Sequence, residues 1–230
     1  MPFGLKNAGA TYQWLVNRMF KGQIGRYMEV YVDDMLVKSK TAKGHARDLE
    51  EVFATLRRHG MKLNPLKCTF GVASGKFLGF IVSARGIEAN PAKIQALIDM
   101  PSPRRHKDVQ SLTGRVAALN RFMSRATDKC IPFFNILRGG KKFEWTEDCE
   151  RAFQDLKMNL ANPPVLSKPI PGETLLLYMA SSEDAISTAL VREEGRIQHP
   201  MYYVSKRLLG AEARYPLMER LVYCLIVTSR

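Results

Sequence analysis

The sequence has little from which to build a covalent or membrane scaffold. Its four cysteines, Cys68, Cys130, Cys149 and Cys224, are widely scattered and lack CxxC spacing. That excludes a zinc ribbon and a disulfide framework and makes a reducing compartment the default. No apolar run reaches ~18 residues, so no spanning helix is expected. Lys6, Arg18 and Lys21 flank no continuous apolar core, so no signal peptide is visible. An intracellular location, cytoplasm or nucleus, and the absence of a membrane partner are the expectations. The four histidines have no paired ligand spacing, which argues against zinc. No GxSxG, Walker A or GxGxxG stretch appears, and there is no internal repeat or low-complexity tract. What remains is an ordinary globular composition. With 46% hydrophobic and 25% charged residues over 230 positions, global disorder and collagen are excluded. One or two domains with a real core are expected.

Charge is unevenly spread. Residues 1–144 hold 25 Lys and Arg against 11 Asp and Glu, whereas residues 145–230 hold 10 against 11. A basic first part joined to a neutral second part suggests two modules, the first facing a polyanion. A well-solvated basic surface is the alternative.

Hydrophobic periodicity divides the chain. Met1-Pro2-Phe3-Gly4 is turn-like, and Ala10, Trp14, Leu15 and Met19 then recur at helical spacing. Residues 26–39 read as two short strands around an acidic turn. Ala46, Leu49, Val52, Phe53 and Leu56 form one stripe of a helix that Gly60 stops. KLNPLKCTFGV and KFLGFIVSARGIEAN read as short strands, and a short helix begins at Pro91. Val109, Leu112, Val116 and Leu119 stripe a second long helix, with Arg115, Arg121 and Arg125 at or beyond its end. Thr146 caps a helix over 147–160, which Pro163-Pro164 ends. TLLLYMA, AISTALVRE and HPMYYVS are strand-like, and a helix follows from about Glu212.

The sharpest feature is Tyr31-Val32-Asp33-Asp34 between two β-forming stretches. Flanking apolar sequence places the carboxylate pair on a rigid strand edge. Two such groups supply the hard oxygen ligands that divalent cations need in phosphoryl transfer. A solvated acidic turn is the alternative.

These residues resemble the catalytic hairpin of reverse transcriptases, and the neighbouring blocks agree in order. MPFGLKNAGATYQ is similar to the template- and nucleotide-contacting segment. GMKLNPLKCTFGV is similar to the following lysine-bearing segment, and FLGFIVSARGI to the primer grip. These blocks, with KPIPGETLLLY and YYVSKRLLGAEARYPLMERL, resemble the pol region of gypsy-type LTR retrotransposons, especially plant ones.

The resemblance implies an α+β fold: a partial polymerase palm with primer grip over residues 1–90, thumb helices over 91–140, a connecting helix and linker over 141–170, and an incomplete RNase H-like α/β sheet over 171–230. It implies RNA-directed DNA polymerisation, in which a primer 3′-hydroxyl attacks a dNTP, with Mg²⁺ as cofactor and an RNA template, DNA primer and hybrid duplex as partners. Asp33 and Asp34 would be catalytic metal ligands. Phe3, Gly4, Tyr31 and Lys67 would contact nucleotide or template, and Phe77, Leu78 and Gly79 would form the primer grip. Tyr12, Gln13 and Trp14 are candidates for contact with nucleic acid, although an apolar stripe places Trp14 in a core. The arginines of the thumb helix would track phosphates.

Two departures bear on activity. The family places a third Asp upstream of the hairpin, and no Asp precedes Asp33 here. In the RNase H-like part the first metal-binding Asp is replaced by Met179, in Tyr178-Met179-Ala180-Ser181, while Glu219 matches the second carboxylate. A thioether is a poor Mg²⁺ ligand. The region is thus expected to be truncated at both ends and inactive. A nucleic-acid-binding relic, or an inert product of a decayed element, is the alternative reading.

Overall fold

The structure, a computed structural model, describes residues 4–138 and 143–229. Helix (44%) outweighs strand (23%), and the two are segregated rather than strictly alternating, which is an α+β arrangement. The chain forms two compact units, one up to Val82 and one from Ser83 onward. The fall in charge near residue 144 lies within the second.

In the first unit, helix α1 (Ala8–Met19) precedes a hairpin of β1 (Met28–Tyr31) and β2 (Asp34–Val37), and then α2 (Ala42–Arg58). The core joins Val16 and Phe20 of α1 to Tyr27, Met28, Val52 and Leu56. Helix α2 starts where the Thr41 hydroxyl accepts the Gly44 amide at 3.1 Å. It stops where Gly60, at φ +65°, lets the Met61 amide reach the Leu56 carbonyl at 3.0 Å. This is a Schellman closure, which the left-handed glycine permits. The stretch 62–72, expected as a strand, holds instead a 3₁₀ turn over Pro65–Lys67. Pro65 lacks an N–H for a ladder, and the Asn64 side-chain oxygen accepts the Leu66 amide at 3.1 Å, which favours the turn. Strands β3 (Ser74–Phe77) and β4 (Phe80–Ser83) follow as sheet neighbours.

The second unit opens with β5 (Gly86–Ala89) and α3 (Pro91–Ile98), which the Asn90 side chain caps. The long helix expected from residue 106 ends early, as α4 (His106–Ala117), and a further helix that the periodicity did not show, α5 (Ala126–Arg138), follows. The chain turns between them at Arg125, whose φ is +53°. Helix α5 escapes periodicity because Pro132 stands inside it. Helix α6 (Glu147–Ala161) has the expected Thr146 cap, with Glu147, Asp148 and Glu150 in its first turn. Val109, Leu112, Val116, Phe133, Phe153 and Leu156 fill the helical core, and the Trp145 ring stacks on Phe133 at 5.7 Å.

Strands β6 (Leu175–Ser181), β7 (Ala185–Glu194) and β8 (Ile197–Arg207) form an antiparallel sheet in chain order, followed by α7 (Leu217–Thr228). The sheet buries small polar groups, and each finds a partner. The Ser187 and Ser205 hydroxyls meet at 2.9 Å, and the Thr228 hydroxyl donates to Thr188 at 3.0 Å. Residues 163–168 tie β5 to this sheet. Ile87 and Leu166 exchange backbone hydrogen bonds at 2.9 Å, and the Ser167 amide donates to the Pro200 carbonyl at 2.7 Å. Gly86 makes this approach possible: a Cβ there would stand 2.1 Å from the Leu166 carbonyl oxygen.

Candidate active site

The β1–β2 turn consists of Val32 and Asp33, with Tyr31 opposite Asp34 in register. Val32 has φ +48°. A two-residue hairpin with positive φ at its first central position is a place that glycine normally fills, and a β-branched residue there is strained. The partner that holds it is Gln13 of α1. Its side-chain oxygen accepts the Val32 amide at 2.6 Å, while its Nε2 donates to the Val30 carbonyl at 3.2 Å and to Asn17 Oδ1 at 2.8 Å. Gln13 therefore fixes the path from the end of β1 into the turn, whereas the sequence offered this residue only as a candidate contact to nucleic acid. Strain held by surrounding structure is characteristic of functional turns.

The β3–β4 turn, Leu78-Gly79, has the same character. Both residues have positive φ, +51° and +78°, the requirement of a type I′ turn. The Leu78 amide donates to Asp34 Oδ2 at 3.2 Å, and Leu36 lies against Gly75. The sequence-predicted residues Asp33, Asp34, Leu78 and Gly79 are thereby brought together at two adjoining hairpin tips.

Both aspartates are exposed, and the Asp33 carboxylate adds to burial in raising the Tyr12 phenol above its ordinary value. No cluster of three or more His, Cys, Asp or Glu suited to a metal occurs among the described residues. The pair still fits Mg²⁺ as a minimal protein contribution, since this ion is commonly held by one or two carboxylates together with substrate phosphates and waters. One oxygen of Asp34 is engaged by the Leu78 amide.

The remaining candidates are dispersed. Gly4, at φ +90°, and Lys67 are exposed, and Lys67 ends a 3₁₀ turn instead of a strand. Tyr31 is exposed, and Phe77 is half-buried at the end of β3. Phe3 lies outside the described residues. Trp14, placed by its stripe in a core, is 61% exposed, because Tyr12, Val16, Met19 and Phe20 already fill the inner face of α1. The three arginines assigned to phosphates each have a protein partner. Arg115 donates to the Ala96 carbonyl, Arg121 lies over the Tyr202 ring at 5.6 Å, and Arg125 pairs with Asp128 at 3.0 Å.

In the second unit, Met179 stands opposite Thr188 on β6, partly exposed, and Glu219 lies exposed in the first turn of α7, which packs on β6. Glu183 and Asp184 lie beyond the end of β6 in the turn to β7. That turn is pinned by the Ser182 hydroxyl, which accepts the Ala185 amide at 3.0 Å and lies 2.8 Å from Asp128 Oδ1. Neither carboxylate occupies the strand position of Met179.

Known proteins resemble the chain in two separate stretches. Residues 1–82 match the family of reverse transcriptases (RNA-dependent DNA polymerases), and residues 145–230 match the RNase H-like domain found in reverse transcriptases. The retrovirus-related Pol polyprotein from transposon opus of Drosophila melanogaster is 30% identical over 98% of this chain, which covers 24% of that protein. The corresponding polyprotein from transposon 297 of the same organism is 29% identical over the whole chain, with 21% of its own length covered. The transposon Tf2-3 polyprotein of Schizosaccharomyces pombe is 24% identical over 98% of the chain and 17% of its own length. The chain thus spans about a quarter or less of these relatives. In structure it is similar to the foamy viral protease-reverse transcriptase solved with an RNA/DNA hybrid (TM-score 0.84, 21% identity, 99% of this chain and 31% of that one). It is also similar to the same protein solved with dsDNA (TM-score 0.81, 22% identity, 99% and 48%). At such identities the likeness is one of fold. Residues 1–82 thus match the reverse transcriptase family and residues 145–230 the RNase H-like domain found in reverse transcriptases, and the chain is similar along its length to a stretch of retrotransposon Pol polyproteins.

Proposed function

We propose that this region takes part in RNA-directed DNA synthesis within a larger, gypsy-type Pol protein, and that a polypeptide of these 230 residues alone binds nucleic acid without extending a primer. The observation that carries the first half is the Asp34–Leu78 hydrogen bond. It couples the carboxylate-bearing tip to the tip that matches the primer grip, so that the primer end and the acidic pair keep a fixed relation. Asp33 and Asp34 would hold Mg²⁺, which when bound supplies charge stabilisation at the reacting phosphates. Gln13 keeps the acidic turn in place, and the Gly79 backbone, free of a side chain, lets a primer strand approach closely. RNA template, DNA primer and dNTP are the corresponding partners. Residues 91–140, with their excess of Lys and Arg, are read as the thumb.

The second half rests on the donor set. Two carboxylates leave the charge of a metal pair poorly offset, and loss of a positioning ligand costs several kcal/mol of transition-state stabilisation. The test has two parts. Anisotropy of a labelled RNA–DNA hybrid across a salt series is expected to show binding that falls linearly in log K against log salt. Primer extension with Mg²⁺ and dNTPs is expected to show no product. Incorporation abolished by Asp33→Asn would overturn the inactive reading, and a flat salt response would overturn the binding one.

A further inference from the structure

The surface of α1 divides into three stripes. Tyr12, Val16, Met19 and Phe20 face the core, and Gln13 and Asn17 face the acidic hairpin. The third stripe, Trp14 and Arg18 one turn apart, faces solvent, with Trp14 61% exposed and the half-exposed Leu15 beside it. The Arg18 guanidinium lies over the indole, 5.5 Å from the ring centroid. An exposed tryptophan is apolar area that water leaves unsatisfied, and tryptophan paired with arginine is a combination concentrated at contact surfaces.

The chain on either side of this stripe carries charge of one sign. Lys6, Arg18, Lys21 and Arg26 occur before the first acidic residue of the chain, Glu29. We infer that the outer face of α1 is a stacking site for an unpaired nucleobase of single-stranded nucleic acid, with Arg18 and Lys21 meeting the adjoining phosphates. The site is additional to the hairpin tips, and it rests on the nucleic-acid-binding reading above. Both parts of the chemistry point to this occupant. A flat indole face accepts any base through its π-surface, and a guanidinium on the same face stacks while its N–H edge remains available to phosphate. An acidic protein surface would use the charge but not the ring.

The experiment uses the chain's own fluorescence. It has two tryptophans, and the other, Trp145, is stacked on Phe133 and donates to Glu150 at 2.7 Å. Titration of the full chain with a single-stranded oligonucleotide of about 12 nucleotides is expected to quench emission in the unaltered protein but not in Trp14→Ala. The substitution is expected to weaken binding by about fivefold or more, with partial recovery in Trp14→Phe. An abasic strand of equal length and charge is expected to leave emission unchanged and to bind Trp14→Ala as it binds the unaltered chain. Unchanged emission at saturating oligonucleotide, or equal effects of the intact and abasic strands, overturns the site while leaving hybrid binding standing. Failure to bind either strand or hybrid at low salt overturns both.

Discussion

The two units carry the same kind of chemical inheritance in opposite condition. In the first, the carboxylates at 33 and 34 sit on a turn held in a strained conformation by a dedicated side chain and tied to a second strained turn. In the second, the strand position at which the family resemblance led to the expectation of a carboxylate holds Met179, yet the sheet around it is regular and its buried hydroxyls are paired. Fold and ligand set are therefore held by different residues. The side-chain hydrogen bonds of Ser187, Ser205, Thr188 and Cys224 hold the RNase H-like sheet and its helix together and use no atom of the Met179 side chain, although Thr188 stands opposite it in the ladder. The acidic hairpin, by contrast, depends on Gln13, a residue outside it.

The largest effect that separates the units should come from Gly86→Ala. The added Cβ would stand 2.1 Å from the Leu166 carbonyl oxygen, on a backbone at φ +141°. The expected cost is about 3 kcal/mol, confined to the second unit. Urea melts followed by amide exchange should show early opening of residues 86–89 and 163–168, with protection of α2 unchanged. The converse test is Gln13→Ala, which leaves the Val32 amide and the Val30 carbonyl without their side-chain partner and should destabilise the first unit by about 1–3 kcal/mol. Here the exchange of Val32 should rise while the sheet of β6–β8 stays protected.

Acid should produce a smaller difference. Glu212 is held below the ordinary carboxylate range by hydrogen bonds from Lys206 and then Tyr223, and Glu150 by those from Gln154 and then Trp145. A carboxylate lowered in the folded state contributes stability above its unfolded value, near 4.5, and loses it as pH falls through the lowered one. Both lie in the second unit, so acid titration below pH 4.5 should weaken that unit, and Glu212→Gln should remove part of the dependence. The least effect is expected from Met179→Asp. The position is 42% exposed, so stability should barely change. With Glu219 its only matched partner, the restored carboxylate should yield no Mg²⁺-dependent cleavage of an RNA–DNA hybrid. Cleavage by this variant would show that the ligand set is nearer to complete than its sequence indicates.

Legibility in the sequence followed the reach of the forces involved. Helices α2 and α6 could be read because their stripes, the Gly60 stop and the Thr146 cap are local and act within one turn. The acidic hairpin could be read because its strands flank it directly. Helix α5 could not, since Pro132 breaks the local rule and packing overrides it. The expected strand at 62–72 failed because Pro65 and Asn64 favour a turn over a ladder. Trp14 was misplaced because periodicity identifies stripes but not how many partners a helix has. The Gln13–Val32 bond and the Asp34–Leu78 bond join residues 19 and 44 positions apart, and no local pattern encodes such contacts.

The bridge between Ile87 and Leu166 also has a consequence in time. It closes a loop of about 80 residues, and closure of so long a loop is an entropic cost that must be met before the contact returns anything. The helices α3 to α6 lie inside that loop and can form from nearer neighbours first. The bridge is then a late event in folding, and weakening it should accelerate unfolding while leaving the folding rate nearly unchanged. Stopped-flow kinetics of Gly86→Ala would show this as a shift confined to the unfolding arm of the chevron.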